Sequence, residues 1–191
     1  RGVPVCYSWP SQASLVGYTV DENNAAWTAS HLKGFLLDLA ETSGAQSINL
    51  VAHSMGGLIA LRMLERHAQV PSGRVVLLGS PLGGSSVART VSGWGAGRVL
   101  LGEAKAALIT GVEAWPYERD IGMIAGTRSL GLGVLAGGRK AAGDGTVLAE
   151  ESRHEALDDR MEIATTHTGL LLSAEAARQT VAFLREGRFK R

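Results

Sequence analysis

The sequence has a single cysteine, Cys6, so no disulfide can close within the chain. A small disulfide-stapled fold is thereby excluded, and the composition fits a reducing compartment. Within "VPVCY", Cys6 reads as a core residue. No apolar run reaches the roughly 18 residues that a membrane span needs. The first residues also lack the basic, apolar, small-residue order of a secretory signal. The expectation is a soluble, cytoplasmic protein, although the chain opens at Arg1 rather than at a methionine, which leaves room for a segment upstream. Charge of one sign is lacking too: 19 basic and 18 acidic residues, spread along the chain, leave a formal net charge of +1 and no footprint for nucleic acid. The basic tail "REGRFKR" is too short to change that. With no Pro-rich or charge-rich linker and no internal repeat, residues 1–191 read as a single domain. The histidines lack zinc spacing and one cysteine makes no thiolate cluster, so no metal is expected. G-x-G-x-x-G and the lysine of a P-loop are both missing, and no cofactor is implied.

What is present is enough apolar material for a sizeable core: 45% of the residues are hydrophobic and 19% charged, far from a disordered composition. A first strand is expected at residues 3–8, followed by the loop "WPSQASLVGY". Asp21 can cap a helix in which Leu32, Phe35, Leu36 and Leu39 recur at helical spacing, with Gly44 beyond its end. Strands follow at 47–52, 74–79, 120–127 and 160–166, the last alternating like a half-covered edge. A helix runs from 55 to about 67, and another from the Ser173 cap to Gly187, with Ala174, Ala177, Val181 and Leu184 along one face. Val75 to Leu78 is apolar at every position, as in a parallel sheet covered by helices on both sides. Strands and helices alternate throughout, which places the chain in the α/β class with a mostly parallel sheet.

In "NLVAHSMGGLIALRMLE" a buried strand turns into a helix with Ser54 at the joint. Reactive groups in an open parallel sheet gather at the carboxyl ends of strands. A sharp strand-to-helix turn lifts a hydroxyl clear of the sheet and needs small neighbours, which Ala52, Gly56 and Gly57 supply. The N–H of Met55 would face the oxygen of an attacked carbonyl, helped by the positive helix end. The plainer reading is that Ser54 only caps its helix.

A hydroxyl needs a base to take its proton. Of five histidines, His31 and His67 fall within helices and His154 at the wrong end of the last strand. His53 lies in the turn itself, its side chain pointing away from that of Ser54. His167 directly follows a strand. A carboxylate is then required to orient the imidazole. Asp144 in "AAGDGTV" is the choice, with Glu150 or Glu151 behind it; Asp120, Asp158 and Asp159 belong at the opposite edge. The order Ser54, Asp144, His167 is that of α/β-hydrolases.

Together "VAHSMGGL", "VVLLGSPLGGSS", "GMIAGT", "GDGTV" and "HTGLLLS" resemble the compact bacterial α/β-hydrolases of the esterase/lipase superfamily, especially lipase-like and GPI inositol-deacylase-like proteins. The resemblance covers most of the chain from about Leu50. It implies an α/β-hydrolase fold with Ser54 as nucleophile, His167 as base and Asp144 as acid. The front departs: the family's earlier strand, with its His-Gly loop and second oxyanion N–H, has no counterpart, so the fold is N-terminally shortened. Either the chain is a fragment, or the strand at 3–8 has moved in beside the strand bearing Ser54 and the loop at 8–11 covers the site.

Residues 82–117 follow a strand's carboxyl end and could form a lid, with Trp9, Trp94 and Trp115 lining a substrate and Leu100, Leu101 and Leu108 adding apolar surface; equally, these residues could be ordinary helix-face core. The expected activity is hydrolysis of a small-molecule carboxylic ester through an acyl-enzyme. The same triad serves thioesterases, amidases and acyltransferases, and a non-catalytic interaction domain is the alternative of a different class.

Overall fold

The computed structural model describes residues 2–8, 18–86, 111–112, 119–129 and 142–191, with side chains of the first helix described from Thr28 onward. The all-apolar segments become the centre of a parallel sheet. Its strands are β1 (Leu50–His53), β2 (Val75–Leu78), β3 (Ile121–Gly126) and β4 (Asp159–Ile163), side by side in chain order. Every residue of β2 and β3 is buried. The register pairs His53 with Leu78 and Leu78 with Ile124, so these three positions share one face.

The two faces carry separate cores. Val75, Leu77, Ile121 and Met123 pack with helices α1 (Tyr18–Ser43) and α2 (Met55–Arg66). Val76, Leu78 and Ile124 pack with Leu170 of α3 (Gly169–Leu172) and Phe183 of α4 (Ala174–Glu186). The alternation along β2 follows from the two-residue period of a strand. Burying Phe183 completely is worth about 2–3 kcal/mol on the usual transfer scale.

Local signals set the helix ends. Ser173 Oγ accepts from the Ala176 amide at 3.2 Å, and Gly187 takes the left-handed conformation with φ +73°. In α1, Leu32 and Leu36 are buried and Gly44, at φ +67°, follows its last residue. The helix begins at Tyr18, so Asp21 lies inside it and is not its cap. The stripe α4 buries is Ala176, Gln179, Ala182 and Phe183; Ala174, Ala177 and Val181 face outward and Leu184 is half-buried. The cause is Phe183, the bulkiest side chain of the helix, which seats over Gly122 of β3 and meets Phe189 with ring centroids 5.0 Å apart.

At the front the structure departs from expectation. Residues 2–8 form no strand, so the alternative in which that strand moves in beside β1 is overturned. A strand is held by its ladder partner rather than by its own propensity, and Val3 stays 86% exposed. Cys6 is exposed, not core. Tyr7 is anchored differently, its ring 5.1 Å from that of Phe35 on α1. β4 ends at Ile163 rather than near 166, because the Thr165 amide turns back to the Ile163 carbonyl at 2.7 Å. Trp9, Trp94, Trp115, Leu100, Leu101 and Leu108, and most of 82–117, lie outside the described residues.

Candidate active site

Ser54 joins β1 to α2 with φ +55° and ψ −131°, and among the described residues it is the one non-glycine with positive φ. Such backbone costs of order 1–3 kcal/mol and persists only where the surroundings hold it. Here the Ser54 amide donates to the Leu78 carbonyl at 2.9 Å, extending the β1–β2 ladder into the turn. The half-buried side chain makes no capping hydrogen bond, which removes the plain reading of Ser54 as a helix cap. Gly57 is needed sterically: a Cβ there would lie 2.2 Å from Ser80 Oγ and 2.8 Å from Ser80 Cβ. Gly56 is not, since a Cβ on it would meet nothing within 4 Å. The Met55 N–H, at the first position of α2, has no acceptor within its helix.

Asp144 and His167 come together from loops after β3 and β4. The first loop is pinned by the Gly143–Leu148 bridge, and Asp144 Oδ1 accepts from the amides of Thr146 at 2.9 Å and Val147 at 2.8 Å. Asp144 Oδ2 is then left for His167 Nδ1, 2.7 Å away, while the His167 amide donates to the Asp144 carbonyl at 2.9 Å. Asp144 is 1% exposed and His167 9%, so the pair is almost dry. It sits against Gly79, at the end of β2, whose φ is +57°. A Cβ on Gly79 would be 2.9 Å from Asp144 Oδ2 and 3.2 Å from His167 Nδ1.

The other carboxylates are engaged elsewhere. Glu151 is buried, its oxygens taken by the amides of Ser86 and Leu148, and Glu150 pairs at the surface with Arg153 at 3.4 Å. Asp120 pairs with Arg74, Asp158 accepts from the Ile121 amide and Asp159 from the Phe189 amide. His154 Nε2 bonds the Val112 carbonyl at 2.8 Å, His67 ends α2 and His31 is exposed on α1.

Sequence reasoning set His53 aside, but the structure brings it to the site. Its Nε2 lies 3.1 Å from the His167 carbonyl oxygen and the two rings are 4.5 Å apart. Burial pushes its pKa below the ordinary histidine value and the neighbouring His167 adds to this; its bond to the His167 carbonyl and the charge of Asp144 act the other way. The available signal was its parity, since a residue at the end of β1 shares a face with Leu78 and Ile124.

Among the described residues no group of three or more His, Cys, Asp or Glu could hold a metal ion, and no helix is long and apolar enough to cross a membrane.

A family model described as an α/β-hydrolase of unknown function matches residues 1–76, less than half of the chain. No curated protein matches significantly. Among solved structures, the chain is similar to the mature lipase BlEst2 of Bacillus licheniformis at 19% identity and a TM-score of 0.62, over 83% of this chain and 72% of that one. The propeptide form of that lipase aligns with a TM-score of 0.63 at 19% identity, over 85% of this chain and 40% of its own. Phospholipase PlaB from Legionella pneumophila, in complex with thio-NAD, aligns at 16% identity and 0.52, over 78% and 35%. The parallel sheet flanked by helices agrees with these likenesses: the chain has the α/β-hydrolase fold.

Proposed function

We propose that the chain is a serine hydrolase of carboxylic esters, with Ser54 as nucleophile, His167 as general base and Asp144 as the orienting acid. The observation that carries this reading is the dry Asp144–His167 pair beside a strained serine that makes no capping bond. With Nδ1–H donated to Asp144, His167 keeps the lone pair on Nε2, the form a base must have. No hydrogen bond joins Ser54 to His167 among the described residues. Free enzymes commonly leave that bond open until substrate arrives.

In the reaction, His167 Nε2 takes the Ser54 proton as Oγ attacks the carbonyl carbon. The negative oxygen turns to the Met55 N–H, and a donor of this kind contributes about 10²–10³ in turnover. His167 returns the proton to the leaving alcohol, and water then frees the acid by the same path. The likeness to a lipase and a phospholipase supports an ester as substrate.

The test is hydrolysis of p-nitrophenyl esters from acetyl to palmitoyl, alongside an acyl thioester and an anilide. A fluorophosphonate probe followed by mass spectrometry locates the reactive residue. The wild-type chain should be labelled at Ser54 and Ser54→Ala should lose at least about 10³-fold in turnover. A folded wild type that neither hydrolyses any member nor takes the label refutes the proposal.

A further inference from the structure

We infer that His53 is a positioning residue for His167: its Nε2–H, held by the His167 carbonyl, ties the turn that presents Ser54 to the loop that presents the base. The inference rests on the roles proposed above for Ser54 and His167. A carbonyl oxygen only accepts, so the 3.1 Å contact requires the proton on His53 Nε2. Within its own turn the His167 carbonyl also accepts from the Leu170 amide at 3.3 Å; from other elements His167 is gripped at its amide by the Asp144 carbonyl, at its ring by the Asp144 carboxylate and at its carbonyl by His53. Two of these grips belong to the loop after β3. Only the third belongs to the β1–α2 turn, and His53 is bonded covalently to Ser54, so this hydrogen bond sets how far the imidazole can drift from the hydroxyl. A displacement near 1 Å can cost on the order of 10²-fold in rate.

The charge of His53 matters for the same reason. Among the described residues, the titratable groups facing it are His167 and Asp144. When His167 becomes imidazolium during proton transfer, a neutral His53 ring 4.5 Å away accommodates it, whereas a protonated one opposes it. Burial keeps His53 neutral to lower pH than an ordinary histidine. Protonation of His53 on the acid side therefore lowers activity further.

Three substitutions separate these effects. His53→Gln keeps an amide N–H close to the position of Nε2; His53→Asn carries the same group one methylene short; His53→Phe fills the space without a donor. Two readouts are followed: kcat and KM for p-nitrophenyl acetate across pH 4.5–9, and the hydrogen-bonded Nδ1 proton of His167 by NMR, which needs no activity. Thermal melts establish folding. The Phe and Asn variants should lose roughly 10–100-fold in kcat with KM little changed, and their His167 Nδ1 proton should broaden through exchange. The Gln variant should stay within about threefold of wild type with a shallower acid limb. Should the Phe variant fail to fold, the Asn and Gln pair still decides. Phe and Asn variants with wild-type kcat and an unchanged Nδ1 proton overturn the inference, as does a Gln variant no better than Asn. A wild type without hydrolysis, but with the Nδ1 proton lost in Asn and kept in Gln, refutes the esterase reading while upholding the tie.

Discussion

Replacing Asp144 by asparagine changes one contact and keeps the rest. Oδ1 remains to accept from Thr146 and Val147, so the loop keeps its shape. At the Oδ2 position, 2.7 Å from His167 Nδ1, an acceptor becomes an NH₂ donor. The imidazole must then turn its lone pair to Nδ1 and carry its proton on Nε2, where it can no longer receive one from Ser54. An error of tautomer of this kind costs about 10⁴ in kcat, or ~5.5 kcal/mol of transition-state stabilisation. Stability should fall far less, because a charge-assisted bond worth about 1.5–3 kcal/mol gives way to a neutral one near 1. We expect a loss of about 0.5–2 kcal/mol. Asp144→Ala is the contrast: it also strips the acceptor from the buried Val147 amide, and should cost about 3–6 kcal/mol. Turnover of p-nitrophenyl acetate and urea unfolding, measured on both variants, give the two numbers. An Asn variant keeping more than about a tenth of wild-type kcat would show that Asp144 merely anchors its loop, and the tautomer reasoning would be wrong.

The two glycines after Met55 should behave oppositely. Gly57→Ala drives a methyl into Ser80 and should destabilise by about 1–3 kcal/mol, whereas Gly56→Ala, in open space within α2, should be neutral or stabilising by up to about 1 kcal/mol; equal effects in urea melts would discard the close-approach explanation. Ser54→Gly relieves the positive φ and should raise unfolding free energy by about 1 kcal/mol while abolishing ester hydrolysis, whereas Ser54→Ala keeps the strain. A glycine variant less stable than the alanine variant would argue against stored strain at the turn.

Much of this protein was legible in local spacing. The serine turn, α2 from Met55, the unbroken apolar run of β2 and the Ser173-to-Gly187 frame of α4 are each specified within a few residues, by caps, glycines and hydrophobic period. The carboxylate that meets His167 was legible more loosely: Asp144, Glu150 and Glu151 sit within eight residues of one another, and only the Gly143–Leu148 bridge aims one of them at the imidazole. Other features were beyond any local pattern. Residues 3–8 have the composition of a strand yet join no strand ladder among the described residues, because strand formation requires a partner that the segment does not itself contain. Which stripe α4 buries depended on the room that Gly122 leaves for Phe183 on a different element. His53 and Gly79 belong to the site through the register of β1 against β2, which brings together residues that the chain separates. Short-range order is written in propensities, capping and period, whereas contacts between distant loops exist only once the sheet has set the distances between its strand ends.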